Sequence, residues 1–177
     1  MTIKDLPADL RRKMTELQRA MRKELPDKLG VEAREHFANN FRRGGFVDNG
    51  LQRWDDVKRR DPNSPWYGFE YKGEKQDKST KKGGKKKLNY SPTATQRGVL
   101  TSKRNLLMNS LQIDKRNAQV EIYTGAPHAQ IHQEGGTFKV FGKHTAQMPA
   151  RPFVGHSTEL DARAEKIITD TINKIFD

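Results

Sequence analysis

His128 and His132 are the residues of this chain whose type and spacing best suit metal chemistry. Four residues apart on a helix, two histidines share one face, as the paired ligands of a zinc protease do. That motif also needs a glutamate directly after the first histidine, and Ala129 stands there, while Glu134 points to another side of the helix. Because no third ligand is placed, the spacing predicts no metal and no cofactor. We expect His132 to be structural, donating a hydrogen bond to a backbone carbonyl or a carboxylate that fixes the following turn.

The sequence contains no other motif that would support catalysis. It has no cysteine, which excludes disulfides, thiol nucleophiles and cysteine–zinc sites. Gly-x-Ser-x-Gly is absent, and Gly83-Gly84-Lys85 lacks the upstream glycine of a phosphate-binding loop. The carboxylates of Asp55-Asp56 lie beside arginines, as ordinary salt-bridge partners do. We therefore expect a binding protein and not an enzyme.

Positive charge is concentrated in one low-complexity segment. The 177-residue chain has a net charge of +12, and Lys72–Lys87 carries eight lysines and two acids, or +6. Such a segment buries too little apolar area to offset the entropy of ordering, so we expect a mobile loop. Two interpretations remain open, a solvated loop and an electrostatic arm that touches DNA or an acidic protein surface. The lysines assigned to that arm are Lys81, Lys82, Lys85, Lys86 and Lys87.

Length and hydropathy favour one domain over residues 1–177. Only 33% of the residues are hydrophobic, so much of the chain must be surface, loop or interface. No apolar run approaches the ~20 residues that span a bilayer, and the first ten residues do not resemble a signal peptide. We expect a cytosolic protein with no membrane partner.

Two amphipathic helices are predicted at the N-terminus. An apolar stripe with spacings of three and four residues spans residues 6–25, opposite a face rich in arginine and lysine. Pro26 is expected to end or kink this helix. A second stripe, from Leu29 to Phe41, stops at Gly44-Gly45. Both stripes are typical of core packing, and the alternative for residues 1–25 is a docking arm for a neighbouring subunit.

Residues 46–71 combine turn-forming residues with many aromatic side chains. A disordered linker would lack such aromatics, so we expect an ordered loop, packed on the body or packing only when subunits meet. Trp54 is predicted to be a structural anchor at the edge of the core. Neighbouring arginines and lysines leave stacking on a nucleic-acid base as its alternative role.

The rest of the chain predicts an α+β fold. Arg97–Leu100 is expected to be a short strand, followed by a helix that Thr101 or Ser102 caps. Residues 111–113 and 118–123 are expected to pair as a hairpin, and a helix from Ser157 closes the chain. The result is a small, mostly antiparallel sheet over residues 97–153, packed with the N-terminal helices and a C-terminal helix.

A proline-flanked arginine follows two extended runs near the C-terminus. A short helix at Pro127–Glu134 is expected to end at Gly135-Gly136, because paired glycines take the positive φ angles that stop a helix. Extended runs follow on either side of a turn at Gly142. Pro149 and Pro152 disfavour helical backbone in the residues before them, so Arg151 lies on a stiff, extended backbone.

Four stretches of this sequence resemble the phage virion-morphogenesis family, the Mu-type proteins of tail completion and head-to-tail joining. They are, in chain order, FRRGGFVDNGLQRW at 41–54, GVLTSKRNLLMNSL at 98–111, AQIHQEGG at 129–136 and MPARPFVG at 148–155. The resemblance covers most of residues 25–177. The lysine-rich insert at Lys72–Lys87 departs from the pattern of the family core.

The resemblance implies a structural protein that joins the finished tail to the filled head at the neck. Its expected partners are other phage neck and tail proteins and copies of itself in a ring, a hexamer by resemblance, although the isolated chain could be a monomer. It would act in the host cytoplasm during assembly and then remain in the virion neck or tail. The alternative function is non-specific nucleic-acid binding through the basic surface and the lysine arm. Candidate assembly contacts are Gly135, Gly136, Pro149, Arg151, Pro152 and Phe153.

Arg151 has two possible roles in such an assembly. It can form an ion pair between subunits, or it can make a local hydrogen bond that pins the last strand to the terminal helix. The local role is favoured, because arginines between prolines commonly brace loops.

Overall fold

A computed structural model describes residues 7–70, 90–140 and 144–177. Six α-helices and three antiparallel strand pairs are present in these ranges, which confirms the predicted α+β class. The helices are α1 (Ala8–Arg19), α2 (Leu25–Arg43), α3 (Pro92–Gln96), α4 (Leu106–Asn109), α5 (Ala129–Glu134) and α6 (Thr158–Phe176). The strands are β1 (Gly45–Val47), β2 (Leu51–Arg53), β3 (Leu111–Arg116), β4 (Gln119–Thr124), β5 (Gly136–Val140) and β6 (His144–Met148).

Helices α1 and α2 are continuous, so Pro26 does not end the helix, which was one of its two predicted effects. A π-helical segment, Ala20–Glu24, joins them, and the residues at both of its ends keep right-handed helical angles. Proline lacks an N–H and normally interrupts the hydrogen-bond ladder of a helix. Here Pro26 lies in the first turn of α2, directly after the wider π turn, where the ladder changes its spacing. The chain therefore passes the proline without ending the helix.

The loop predicted after α2 contains a small hairpin that sequence reasoning did not separate from it. Gly44 ends the helix with φ of 68°, as predicted, and β1 then pairs with β2. The turn between these strands is tied to the start of α6. The carboxylate of Glu159 accepts hydrogen bonds from the backbone N–H groups of Asn49 and Gly50 at 3.1 and 2.8 Å, and Asp48 accepts one from that of Thr158 at 3.0 Å.

The predicted strands form three separate pairs and not one sheet. β3 is longer than the predicted 111–113, because the turn occupies only Asn117 and Ala118, and β4 keeps the predicted six residues with a shift of one position. The strand predicted at Arg97–Leu100 is absent. Those residues form turns that include a positive φ of 57° at Leu100, and the helix expected after them is reduced to the single turn of α4.

One cluster of buried apolar side chains joins the N-terminal half to the C-terminal half. The rings of Phe41 and Phe153 are 5.2 Å apart, and those of Phe41 and Trp54 are 5.8 Å apart. The ordered packing predicted for residues 46–71 is thus seen at Trp54. The buried members of the cluster are Phe37, Phe41, Phe46, Trp54, Val99, Leu107, Leu111, Ala129 and Phe153.

Helices α1 and α6 are the two amphipathic ends of the chain. Ser157 caps α6 by accepting a hydrogen bond from the Leu160 N–H at 3.3 Å, as predicted. α1 has no buried residue, and Lys13 Nζ donates to the Phe176 carbonyl of α6 at 2.9 Å. Within the described ranges, no helix has the length and apolar content needed to cross a bilayer.

Gly30 allows the β3–β4 pair to lie directly on α2. A Cβ at this position would lie 2.7 Å from Ile113 Cγ2 and 2.9 Å from Val120 Cγ2. We expect Gly30→Ala to lower the unfolding free energy by about 1–2 kcal/mol, because overpacking costs ~1–3 kcal/mol and exceeds the gain of up to ~1 kcal/mol in helix propensity. Gly125→Ala is the matched control, since a Cβ there meets nothing within 4 Å. Urea unfolding of both variants checks this, and equal stabilities would contradict it.

Candidate assembly interface

The proline-flanked Arg151 lies at a corner, residues 149–153, where the chain leaves β6 and turns toward α6. Arg151 is only 4% exposed, so its charge is directed into the protein. Its Nε donates to the Asp55 carbonyl at 3.2 Å, Nη2 to the Asp56 carbonyl at 3.5 Å, and Nη1 to Met148 Sδ at 3.4 Å. Burial lowers the pKa of Arg151, and the Asp55 and Asp56 carboxylates oppose that shift.

These contacts show which part of the chain Arg151 binds within the single molecule. The hydrogen bonds pin the corner to the loop that follows β2, and the predicted link to the terminal helix is not the one seen. A guanidinium stays charged even when it is buried, so the backbone carbonyls and nearby carboxylates are needed to offset its desolvation. In the single chain Arg151 braces the corner from inside.

Two amide side chains and one indole hold the backbone on the C-terminal side of Arg151. Gln133 Oε1 accepts from the Phe153 N–H at 3.0 Å, and its Nε2 donates to the Val154 carbonyl at 2.7 Å. Asn40, fully buried, donates to the Phe153 carbonyl at 3.1 Å and accepts from the Val47 N–H at 3.2 Å. Trp54 Nε1 donates to the Pro152 carbonyl at 2.8 Å. Buried backbone groups at the corner are therefore paired by side chains from three other elements.

Trp54 was predicted as an anchor at the edge of the core, and no role was predicted for Gln133 or Asn40. A signal for Asn40 was present, since it lies between the buried positions of α2 that include Phe37 and Phe41. An amide at a buried helical position must find partners, and irregular backbone nearby can supply them. No comparable periodicity marks Gln133.

Gly135 brings the end of α5 against the corner. It has φ of 72°, and a Cβ would lie 2.7 Å from the Ala150 nitrogen and 2.9 Å from the Met148 carbonyl oxygen. The His132 carbonyl accepts from the Arg151 N–H at 2.7 Å. The helix end and the corner are thus in direct backbone contact.

His132 fixes this turn through its backbone, and its side chain does not act as predicted. Its Nδ1 is buried and finds no hydrogen-bond partner among the described residues. The rings of His128 and His132 are 5.8 Å apart. No group of three or more potential metal ligands occurs in the part of the chain that the structure describes.

The candidate contact residues divide into an inner and an outer set. Arg151 and Phe153 are buried, Gly135 and Pro149 are half-buried, and Gly136 and Pro152 are exposed. The five lysines of the predicted arm lie outside the described residues. Most side chains of the corner are therefore buried or half-buried, and they support a surface that other residues form.

The surface that the corner supports is the β5–β6 hairpin. Gly136 pairs with Met148 at its base, beside Gly135 and Pro149. Thr137, Phe138 and Lys139 are exposed, and Phe138 retains 38% of its area. Within the described residues, β5 and β6 pair only with each other. A two-stranded pair is marginally stable in water by itself, so such an exposed hairpin is suited to being covered by a partner.

A buried histidine links α2 to α6 away from the hairpin. His36 is 3% exposed, and its Nδ1 accepts a hydrogen bond from the Arg163 guanidinium. Burial lowers the pKa of His36, and Arg163 lowers it further, while Glu159 and Glu32 oppose the shift. Burial also lowers the pKa of His132, followed by the charges of His128 and Arg151.

We expect these two histidines to make the fold sensitive to mild acid. Because each pKa is lower in the folded chain than in the unfolded chain, the unfolded state takes up more protons as the pH falls below about 6.5. Stability should be full well above that pH and decline as the pH falls below it, since the unfolded chain is protonated first. The pKa values of carboxylates such as Asp48 and Glu159 are also lowered, and these groups affect stability at lower pH than the histidines do.

Urea midpoints at pH 7.5 and 5.5 measure this effect. A variant carrying His36→Gln and His132→Gln should lose most of the difference between the two midpoints. An unchanged difference in that variant would refute the assignment to these histidines.

The structure is that of a protein of α+β class, with a braced corner behind an exposed hairpin. Residues 61–177 match the phage virion morphogenesis family, and the chain belongs to that family. It is thus a structural protein of phage virion morphogenesis. Comparison with curated proteins gives no match, and neither does comparison with solved structures.

The matched range begins after the first hairpin. The residues before it, among them Phe37, Phe41 and Trp54, nevertheless supply much of the buried cluster. The long N-terminal helix is therefore integral to the packing of the segment that carries the family match.

Proposed function

We propose that this protein completes the tail and joins it to the head at the virion neck, by binding and without catalysis. Its partners would be neck and tail proteins, with copies of the chain arranged in a ring. Family membership supports a role in morphogenesis. The observation that carries the binding role is the exposed β5–β6 hairpin, held in a fixed direction by the corner behind it.

Rigid support is what makes the hairpin useful as a contact. A partner that binds a fixed surface avoids the entropy cost of ordering it during assembly. In the folded chain the corner is already ordered by the hydrogen bonds of four side chains, Arg151, Gln133, Asn40 and Trp54. Free strand edges can then add to a neighbouring sheet, while Phe138 contributes apolar area.

Helix α1 offers a second contact. It has no buried residue, yet it carries an apolar stripe in which Leu10 is 39% exposed, and Met21 in the following π segment is 49% exposed. Packing this apolar stripe on a neighbour would remove it from water and stabilise the complex. This supports the docking-arm role for residues 1–25.

Loss of the gene should leave heads filled with DNA and tails of normal length that remain unjoined. A binding role late in assembly predicts this result, whereas an earlier role would remove heads or tails. Electron microscopy of lysates from a phage lacking the gene measures it. Abundant complete virions would refute the proposal, and empty heads or missing tails would move the function to an earlier step.

Complementation of that phage tests the hairpin and the corner separately. Phe138→Ala should reduce joining while leaving the stability of the purified chain unchanged. Arg151→Ala should reduce both, since buried carbonyls lose a charged donor worth about 1.5–3 kcal/mol. Arg151→Lys should restore joining only in part, because an ammonium lacks the planar fork that reaches several acceptors.

Non-specific nucleic-acid binding is a second candidate that the charge favours. The net charge is +12, and half of it lies within Lys72–Lys87. This function predicts affinity for any DNA duplex with a steep decline as salt increases. The stacking role considered for Trp54 does not support it, because that side chain is buried.

A further inference from the structure

An exposed aromatic surface lies on the two segments that flank the lysine-rich insert in the sequence. We call it the aromatic patch, and it consists of Trp66, Tyr67 and Tyr90. These side chains are 44%, 36% and 57% exposed. The rings of Tyr67 and Tyr90 are 6.1 Å apart, and Trp66 packs edge-to-face on Phe69 at 5.3 Å. Clustered exposed aromatics of this kind mark interaction surfaces.

Consecutive backbone hydrogen bonds hold the aromatic patch in place. The Tyr67 N–H donates to the Ser64 carbonyl at 3.0 Å, and the Phe69 N–H donates to the Trp66 carbonyl at 3.0 Å. The Gly68 N–H donates to the Arg59 carbonyl at 2.8 Å. The rings are therefore presented on an ordered turn, and little entropy would be lost when they bind.

The second side of the aromatic patch is fixed to the same turn. The Ser91 N–H donates to the Gly68 carbonyl at 2.8 Å, and Phe69 pairs with Tyr90 in an antiparallel bridge. Gly68 has φ of 67°, and a Cβ there would collide with the ring of Tyr90. Because Gly68 has no side chain, the ring of Tyr90 can occupy the space beside its backbone.

An ion pair completes this support. Arg97 Nη1 donates to Glu70 Oε1 at 2.9 Å, and both side chains are about one-fifth exposed. Hydrogen bonds from Ser91 and Arg97 lower the pKa of Glu70. The only acid between Phe69 and the insert is therefore already engaged within the chain.

The charge of the sequence between the two segments of the aromatic patch indicates the kind of partner. The insert, Lys72–Lys87, contributes +6. Trp and Tyr are the residue types that dominate the binding energy of protein interfaces, and surrounding charge chiefly raises the rate of association. A second copy of this chain, with a net charge of +12, is a poor electrostatic match.

We propose that the aromatic patch binds an acidic surface of a different protein, with an apolar centre that receives Trp66. This inference rests on the proposed function, because it names the chemistry of one of the assembly partners. Nucleic acid fits less well. Base stacking needs open, separate ring faces, and here the rings pack against one another in pairs.

Binding of three labelled probes to the full chain tests this proposal. The probes are a random copolymer of glutamate and tyrosine, polyglutamate, and a random-sequence DNA duplex, each followed by fluorescence anisotropy. Trp66→Ala should weaken binding of the copolymer by about tenfold or more and change binding of polyglutamate little. Val31→Ala, which removes a side chain 62% exposed on α2, is the matched control and should change neither.

A variant with glutamine at Lys81, Lys82, Lys85, Lys86 and Lys87 separates charge from aromatic contact. It should weaken binding of all three probes and make that binding less dependent on salt. The effect of Trp66→Ala on binding of the copolymer should persist in this variant. If Trp66→Ala weakened binding of the copolymer and of the DNA duplex equally, the proposal would be overturned in favour of nucleic acid. No loss for any probe would overturn it outright.

Folding and function are controlled separately in this test. Tyr67→Ala provides a second variant if Trp66→Ala fails to fold, and urea unfolding identifies that case. The phage lacking the gene reports the assembly step independently of these probes. Unjoined heads and tails together with no Trp66 dependence would therefore reject this inference and leave the proposed function standing.

Discussion

The variant Phe153→Ala is expected to lose about 3–5 kcal/mol of unfolding free energy. Phe153 is 1% exposed and touches Phe41 in the centre of the buried cluster, so its removal leaves a cavity. Its backbone also carries the hydrogen bonds from Asn40 and to Gln133, and a shift there would disturb the corner. Urea unfolding followed by the fluorescence of the buried Trp54 measures the loss.

Phe138→Ala is the control for this variant. It removes the same side chain from the exposed hairpin and should change the unfolding free energy by no more than about 0.5 kcal/mol. Similar losses in the two variants would show that the corner is not the centre of the core.

Gly135→Ala is expected to have the second-largest effect, a loss of about 2–4 kcal/mol. The residue combines φ of 72° with ψ of −165°, a conformation that side chains disfavour. The added Cβ would also meet the backbone of Met148 and Ala150, which cannot rotate away. We expect the base of the β5–β6 hairpin to open, so joining activity should fall together with stability.

Gly44→Ala separates these two contributions. Gly44 has φ of 68°, but a Cβ there would meet nothing within 4 Å, so only the conformational cost of roughly 1–2 kcal/mol remains. Thermal unfolding of both variants gives the difference. If Gly135→Ala cost no more than Gly44→Ala, close backbone approach would not be what fixes the hairpin.

Elements with a strong local signal could be predicted from the sequence. Helix α6 has an apolar stripe and a serine cap, α2 ends at a glycine, and the β3–β4 pair alternates apolar and polar residues. These signals depend on neighbouring residues alone, which is why they were sufficient. The family resemblance is likewise confirmed, and three of the four stretches that carry it lie within the matched residues 61–177.

Features that depend on contacts between distant residues could not be predicted. The helix continues through Pro26 because a π turn precedes it, and residues 97–100 form turns in which the Gly98 carbonyl accepts a hydrogen bond from the distant Arg59 side chain. At the corner, Arg151 was found from its flanking prolines. Its partners, two backbone carbonyls near residue 55, have no sequence signature because any residue type supplies a carbonyl.

The pairing of Phe69 with Tyr90 has a consequence for how this chain can vary. Phe69 and Tyr90, which flank residues 71–89 in the sequence, are held side by side, so the stretch between them can change in length without moving either flank. Doubling the length of a flexible loop costs only about 0.6 kcal/mol in closure entropy. Related phages could therefore lengthen, shorten or recharge this loop to suit a new host or neighbour, without any compensating change in the buried cluster. The same property makes it a natural insertion point for an affinity tag or a fluorescent protein.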